Sequence, residues 1–301
     1  MLKEPKSSFN SAIASYHSAA LVQRKVDTML QAMMIKHVKS LPCVLELGCG
    51  DGVGSVQLNE MLNARCYLAV DIADALIDKA QIQYTENASG RQCIGGNQTA
   101  YANNSLKRVG VSNQCHTDTD NSHILMGGNI VAADHELRFL CDDFDKTSFW
   151  QSLTADRYDL IYSNMAMQWS KDFPYLFERI HRALHPKGIL AFSIPLIGTF
   201  NELASIVRIN AFLEHAVLLS YLSRGNWQVL ATEKETIVLS FDSRRAQLNH
   251  LKLTGVNSYT GNETSTLGCL KRYLQGNQRS VVTLSYCVGL YVVARSKNEC
   301  E

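Results

Sequence analysis

The chain has 301 residues, of which 46% are hydrophobic and 19% charged, so it can bury a large core and is not a disordered polymer. Lysine and arginine number 29 against 28 aspartates and glutamates, and the formal net charge of +1 excludes a general attraction to nucleic acid or an anionic membrane. Residues 1–10 are polar and no run approaches 18 apolar residues, so we expect neither a cleaved signal nor a membrane span.

Helical and strand-like patterns alternate along the first 200 residues. Apolar residues at helical spacing predict an amphipathic helix within 13–34, with Arg24, Lys25 and Asp27 on its polar side. Five short apolar runs follow, separated by helical stretches such as 173–184, which predicts βα units and a parallel sheet. The runs are 43–47, 66–70, 137–141, 158–163 and 189–194.

The pattern changes after residue 200. A helical run at 202–222 leads into strand-like runs at 227–233 and 236–241, predicted to be antiparallel across a short charged turn, and a last strand at 283–295. An antiparallel ending on a parallel sheet predicts a mixed α/β fold. We expect one domain over 1–301, with a helical cap at 1–36 and a substrate-side segment at 202–275.

Residues 88–136 do not fit the alternation. They contain six glycines and six asparagines without a sustained period, a composition typical of a mobile surface insertion. A functional lid is the alternative for so long a segment.

Cysteine usage predicts the redox environment. The nine cysteines form no C-x-x-C pair, and several lie inside apolar runs, which is typical of reduced, buried thiols. We therefore expect a cytoplasmic protein. The irregular spacing of His116, His123 and His135 with Cys115 predicts no metal site.

The most informative stretch is VLELGCGDGVG at 44–54, a strand that runs into four glycines. Glycine lets the backbone approach a ligand, and the start of the next helix offers amide groups to it. The third glycine of a dinucleotide fingerprint would fall at Val53, which disfavours an NAD-dependent oxidoreductase. Glu46 adds a carboxylate suited to an ammonium group or a water, so we expect a positively charged nucleotide-type ligand.

Two further strand ends carry acidic residues. Asp71 could accept both hydroxyls of a ribose, while Asp143 with Phe144 could take the exocyclic amine and one face of an adenine. Asp142 is the alternative carboxylate on the adenine side. An aspartate at a strand end is also often a helix N-cap, but together these residues point to one crevice.

The motifs ELGCGDG, DDF and SNMAMQW resemble the S-adenosylmethionine-dependent methyltransferases of the seven-stranded Rossmann-like type. The segments FNSAIASYHSAALVQ, YDLIYSNMAMQWS, LHPKGILAFS, GTFNEL, LKLTGVNS and VTLSYCVGLYVVAR resemble, in order, the malonyl-acyl-carrier-protein O-methyltransferases of biotin synthesis, outside 88–136. The resemblance implies an α/β fold with a seven-stranded mixed sheet and helices on both faces. It also implies S-adenosylmethionine as cofactor and a monomer that methylates malonyl-acyl carrier protein.

The resemblance assigns cofactor contacts residue by residue. It gives the methionine part to Glu46, Gly48 and Gly50, the ribose to Asp71, and the adenine to Asp143 and Phe144. It places Asn164 at the methionyl amine and near the substrate, and it folds Tyr16 and Gln23 over the cofactor.

The acceptor side is less defined. Trp169 could line the acceptor channel or belong to the core. Arg182 could bind the substrate carboxylate or be solvated. Relatives often have an arginine at the position of His185, so this chain departs from the family pattern on that side. Arg244 and Arg245, with Lys252, could form a basic rim for the acidic acyl carrier protein, or be scattered surface charge. No general base is expected, because a free carboxylate is already ionised at pH 7. The open alternatives are another small carboxylate or quinone precursor as acceptor, and a noncatalytic protein that binds S-adenosylmethionine.

Overall fold

The computed structural model describes residues 6, 20–39, 42–91, 136–206, 209–253, 267–275 and 281–296. The strands are β1 (Cys43–Leu47), β2 (Cys66–Asp71), β3 (Glu136–Cys141), β4 (Tyr158–Asn164), β5 (Leu184–Pro195), β6 (Trp227–Phe241) and β7 (Val282–Arg295). The α-helices are α1 (Leu21–Met34), α2 (Val53–Leu62), α3 (Asp74–Arg91), α4 (Thr147–Ser152), α5 (Phe173–Ala183), α6 (His215–Arg224), α7 (Arg244–Leu253) and α8 (Leu267–Gln275).

The seven strands form one mixed sheet in the order β3-β2-β1-β4-β5-β7-β6. Strands β1 to β5 pair in parallel, whereas β7 runs antiparallel to both β5 and β6. The direction in which strands are added reverses between β1 and β4. In open α/β sheets, such a switch point opens a crevice beyond the carboxyl ends of the strands, and ligands bind there. We call this side of the sheet the carboxyl edge and the opposite side the amino edge.

Both faces of the sheet are covered by helices, which confirms the predicted fold class. One hydrophobic cluster packs α1 and α2 against one face, and a second packs α4 and α5 against the other. All five residues of β1 are buried, as expected for a parallel strand between two helical layers. Helix α5 begins where the Asp172 side chain accepts a hydrogen bond from the Tyr175 amide at 3.0 Å.

The first helix packs on the sheet through a stripe of side chains four residues apart. Val22, Val26, Leu30 and Met34 are all buried. The predicted helix is thus confirmed over Leu21–Met34. Asp27 lies off the apolar stripe, as predicted, but its side chain is half-buried and lines a cavity.

The region after β5 differs from the expectation in two ways. Instead of one helix over 202–222, a single 3-10 turn at Asn201–Leu203 precedes α6, and Leu213 pairs with Leu196 between them. Instead of a hairpin, β6 is one continuous strand paired with β7 along its whole length. Glu233 and Lys234 are exposed and Glu235 is half-buried on this edge strand, where charge is tolerated and discourages further pairing.

Two cysteines are joined, contrary to the expectation of reduced thiols. Cys43 and Cys66 form a disulfide, because the β1–β2 register places them opposite one another with Cα atoms 4.6 Å apart. Cys49 is a free and buried thiol.

The described residues include only the ends of the predicted insertion. Helix α3 extends to Arg91, and β3 begins at Glu136. The four residues considered for a metal site lie outside the described residues. No helix in the described part of the chain has the length and apolar character needed to cross a membrane.

Candidate functional site

The glycine loop between β1 and α2 lies at the switch point. Gly48, Gly50 and Gly52 have φ angles of 81°, 58° and 75°, a region that residues with a side chain rarely adopt. A Cβ atom on Gly48 would also overlap the Cβ of Ala166, just beyond β4. The loop therefore depends on glycine for its conformation and for its close packing.

Asp71, at the end of β2, holds this loop in place. One carboxylate oxygen accepts a hydrogen bond from the Gly50 amide at 2.9 Å, and the other accepts one from the Ala73 amide at 2.9 Å. Burial raises the pKa of Asp71, and these amide hydrogen bonds act in the opposite direction. A backbone hydrogen bond from Ile72 also acts on this carboxylate. The assignment of Asp71 to a ribose stays a prediction.

Glu46 is a nearly inaccessible carboxylate, with 5% of its surface exposed. It accepts a hydrogen bond from the Tyr67 hydroxyl at 2.8 Å. Burial raises the pKa of Glu46 to about 7, and the negative charges of Asp27 and Asp71 add to the rise. The side chain therefore titrates near neutral pH.

A second carboxylate comes from α1. Asp27 accepts hydrogen bonds from the Tyr162 hydroxyl at 2.5 Å and from the Gln31 side-chain amide at 2.9 Å. Burial raises the pKa of Asp27. Sequence reasoning missed this residue, although Gln23, Asp27 and Gln31 form a polar stripe at four-residue spacing beside the apolar stripe of the same helix.

Glu46, Asp27 and Gly48 line a cavity of about 180 Å³ at the carboxyl edge, which we call the acidic cavity. Asn164 lines it, held by a 2.9 Å hydrogen bond from its amide to the Gln23 carbonyl and a 2.7 Å bond from the Ser193 hydroxyl. The Gln23 side-chain oxygen is buried and has no hydrogen-bond partner in the described part of the chain. The lining residues are Ala20, Gln23, Arg24, Asp27, Thr28, Gln31, Glu46, Gly48, Cys49, Asp51, Val53, Gly54, Gln57 and Asn164.

The predicted adenine residues lie beside the cavity, at the end of β3. The Asp142 amide donates to the Asp71 carbonyl at 3.1 Å, which brings this turn to the same edge. Asp143 accepts from the Asp145 amide at 2.9 Å, and the Phe144 carbonyl accepts from the Trp150 indole at 2.7 Å. Asp143 and Phe144 are half-buried, and their adenine role stays a prediction.

The candidate acceptor-side residues are divided between the two edges. Trp169 ends a 3-10 turn just after β4 and is half-buried at the carboxyl edge. Arg182 lies in the last turn of α5, where its carbonyl accepts from the Asp156 amide, ahead of β4. It is thus at the amino edge, and the expectation that it grips a substrate beside the cofactor crevice is wrong.

Arg244 and Arg245 begin α7, which follows the end of β6. Arg244 donates to the Tyr273 carbonyl at 2.8 Å and stacks over the Tyr273 ring at 4.7 Å, so it fastens α7 to α8. Arg245 and Lys252 are exposed. Tyr16 lies outside the described residues.

The residues around the acidic cavity fit S-adenosylmethionine. Its methionyl part carries a net positive charge that the carboxylates of Glu46 and Asp27 in the cavity lining can balance, and the buried side-chain oxygen of Gln23, which has no partner among the described residues, can accept from its ammonium group. The sheet order, with its antiparallel β7 and the glycine loop after β1, defines the class of S-adenosylmethionine-dependent methyltransferases. A family model described as a methyltransferase domain matches residues 16–246, and the chain belongs to this family. Its cofactor is therefore S-adenosylmethionine.

Two curated relatives match nearly the whole chain. The malonyl-[acyl-carrier protein] O-methyltransferase 2 of Coxiella burnetii is 21% identical, over 97% of this chain and 96% of its own length. The malonyl-[acyl-carrier protein] O-methyltransferase of Bacteroides thetaiotaomicron is 26% identical, over 96% of each chain. Among solved structures, a candidate methyltransferase from Bacillus halodurans C-125 is 10% identical, with a TM-score of 0.53 over 90% of this chain and all of that chain. The last comparison supports the fold alone.

Proposed function

We propose that this protein transfers the methyl group of S-adenosylmethionine to the free carboxylate of malonyl-acyl carrier protein. The product is the malonyl methyl ester, which primes pimeloyl synthesis in biotin formation. The observation that carries this proposal is the match to relatives of that name over almost their full length. We expect the cytoplasm as its location.

The reaction places few demands on the side chains. When bound, S-adenosylmethionine supplies a methyl group already activated by its sulfonium. The acceptor carboxylate is ionised at pH 7, because an unperturbed carboxyl group has a pKa of about 4. The protein therefore needs to orient the acceptor, at about 3 to 3.5 Å from the methyl carbon, and to keep water out.

Asn164 is the best placed residue for this positioning. Its side chain is fixed at both ends, by the Gln23 carbonyl and the Ser193 hydroxyl, so it loses little freedom when a substrate binds. Helix α1 covers the cavity beside it and limits access of water. Tyr16, in the segment before α1, and Trp169 are proposed as additional walls of the acceptor site.

Charge restricts how the acceptor approaches. Asp27, Glu46 and Asp51 all line the acidic cavity, and an anionic malonyl group placed among them would be repelled. We infer that the acceptor carboxylate arrives from the side of Asn164 and Trp169. Arg182, at the other edge, has no part in this approach.

The carrier protein would dock beyond the end of β6. Arg245 and Lys252 are exposed on α7 and can meet an acidic partner, whereas Arg244 is engaged with Tyr273. The basic rim proposed from the sequence is therefore reduced to Arg245 and Lys252.

A methyl-transfer assay tests the proposal. The protein is incubated with labelled S-adenosylmethionine and, in parallel, malonyl-acyl carrier protein, malonyl-coenzyme A, other small carboxylates or a quinone precursor. We expect base-labile methyl ester with the carrier-bound substrate and much less with malonyl-coenzyme A. Preferential labelling of another acceptor would assign a different substrate, and no labelling despite cofactor binding would favour a noncatalytic role.

A further inference from the structure

Asp27 is a half-buried acidic residue that lines the acidic cavity. We propose that its carboxylate, next to that of Glu46, balances the positive charge on the methionyl part of S-adenosylmethionine, and so contributes directly to cofactor binding. This inference depends on the cofactor and not on the identity of the methyl acceptor.

The position of Asp27 is set by elements from opposite sides of the cavity. It projects from α1 and is held by Tyr162 on β4 at 2.5 Å. A Cβ atom built on Gly54, in the first turn of α2, would lie 3.2 Å from the Asp27 carboxylate. The carboxylate thus bridges the space between the covering helix, the sheet and the glycine loop, where the methionyl part is proposed to lie.

The charge of Asp27 is not balanced by its hydrogen-bond donors. Tyr162 and Gln31 are both neutral groups. Burial of a carboxylate without a balancing charge is unfavourable, and the raised pKa of Asp27 expresses this cost. A cationic ligand would remove it.

The surrounding charges are mostly negative. Glu46 faces Asp27 closely enough that the charge of Asp27 raises the pKa of Glu46. Asp51, on the loop, is paired with Lys79 at 3.7 Å, and Asp71 is held by backbone amides. Arg24, one turn earlier on α1, lines the cavity with an exposed side chain. The Gln23 side-chain oxygen, unpaired with respect to the residues that the structure describes, is a further acceptor for an ammonium group.

Two groups of the cofactor could supply the positive charge. S-adenosylmethionine carries an ammonium and a sulfonium, whereas its product S-adenosylhomocysteine keeps only the ammonium. Binding of the two ligands therefore separates the two sources of charge.

The test compares Asp27→Asn with Tyr162→Phe by calorimetric titration of both ligands. Asparagine can still accept the Tyr162 hydrogen bond but has no charge, whereas Tyr162→Phe removes that bond and keeps the charge. We expect Asp27→Asn to raise the Kd for S-adenosylmethionine about tenfold or more, and Tyr162→Phe to have a clearly smaller effect. A matching loss for S-adenosylhomocysteine would assign the ammonium, and a loss confined to S-adenosylmethionine would assign the sulfonium.

The pH dependence of binding gives a second readout. The hydrogen bond from Tyr162 lowers the pKa of Asp27, so Tyr162→Phe should move the midpoint of S-adenosylmethionine binding to higher pH. Asp27→Asn removes a negative charge that raises the pKa of Glu46, and should move the midpoint to lower pH. A purely structural role of Asp27 does not predict these opposite shifts.

Asp27→Glu, which keeps the charge, is expected to retain most of the affinity if Asp27→Asn proves poorly folded. Unchanged Kd values in a folded Asp27→Asn protein, or equal losses in Asp27→Asn and Tyr162→Phe without the opposite pH shifts, would overturn the proposal. Methyl transfer to malonyl-acyl carrier protein is not measured here, so the outcome is independent of the proposed substrate.

Discussion

The two edges of the sheet each carry a cavity, and the smaller one is the candidate cofactor site. At the amino edge, a cavity of about 480 Å³ is lined by aromatic residues, including Trp227 and Tyr221, and by the exposed Arg182 and Arg224. The acidic cavity at the carboxyl edge measures about 180 Å³ but is lined by Gly48, which has a φ angle of 81°, and by the carboxylates of Asp27 and Glu46. A glycine loop in the left-handed conformation and carboxylates of raised pKa, rather than volume, therefore mark the candidate cofactor site.

The largest expected effect comes from Gly48→Ala at the carboxyl edge. The added Cβ would overlap Ala166 at a φ of 81°, so we expect a loss of at least about 3 kcal/mol of folding stability and of cofactor binding. Urea unfolding and calorimetric titration measure the two losses. Gly225→Ala is the control at the amino edge: it has an ordinary φ of −87° and should leave cofactor affinity unchanged. Wild-type affinity in Gly48→Ala would show that the loop does not form the site.

Glu46→Gln should change how stability depends on pH. The pKa of Glu46 is raised to about 7 in the folded protein against about 4.3 unfolded, so the folded state binds the proton more tightly and stability falls as pH rises between these values. Removing the titration should stabilise the protein by about 4 kcal/mol at pH 8, with little gain at pH 4. Urea unfolding at several pH values measures this, and equal effects at both pH values would contradict a raised pKa.

Asp71→Ala should weaken cofactor binding by about 1 to 3 kcal/mol, through lost support of the glycine loop and lost hydrogen bonds to the ribose. Titration with S-adenosylmethionine measures the loss. Arg182→Ala at the amino edge is the comparison, and it should bind the cofactor like the wild type. A similar loss of cofactor affinity in Arg182→Ala would contradict the placement of the cofactor site at the carboxyl edge alone.

The smallest effect is expected for Arg245→Glu on α7. Reversal of one exposed charge should raise KM for malonyl-acyl carrier protein about fivefold or less, because surface charges are screened by solvent and salt. The KM for malonyl-coenzyme A should stay unchanged. Adding Arg244→Glu should also loosen the α7–α8 contact, since Arg244 is bonded to Tyr273, so the single change is the cleaner test. Equal effects on the two substrates would argue against carrier docking at α7.

The sequence alone was enough to predict strands β1, β2 and β3 and the residues at their carboxyl ends. The runs at 43–47, 66–70 and 137–141 are strands as predicted, to within a residue. Repeated βα units place successive strand ends at the same edge, so Glu46, Gly48 and Asp71 could be brought together from their order along the chain. The closely spaced glycines likewise predict a sharp turn without side chains, because this depends only on residues that are neighbours in the chain.

Tertiary structure decided the rest, because the remaining features depend on partners distant in the chain. The charged stretch at 233–235 looks like a turn on its own, but pairing with β7 extends it into one strand. Cys43 and Cys66 meet only through the register of β1 and β2, and Arg182 is carried to the far edge by the direction of α5. Asp27 belongs to the site only because α1 packs across the sheet and brings it to Tyr162, 135 residues away in the chain. The helical periodicity of the sequence shows which residues are off the apolar stripe, but it cannot distinguish a residue that lines a cavity from one that faces solvent.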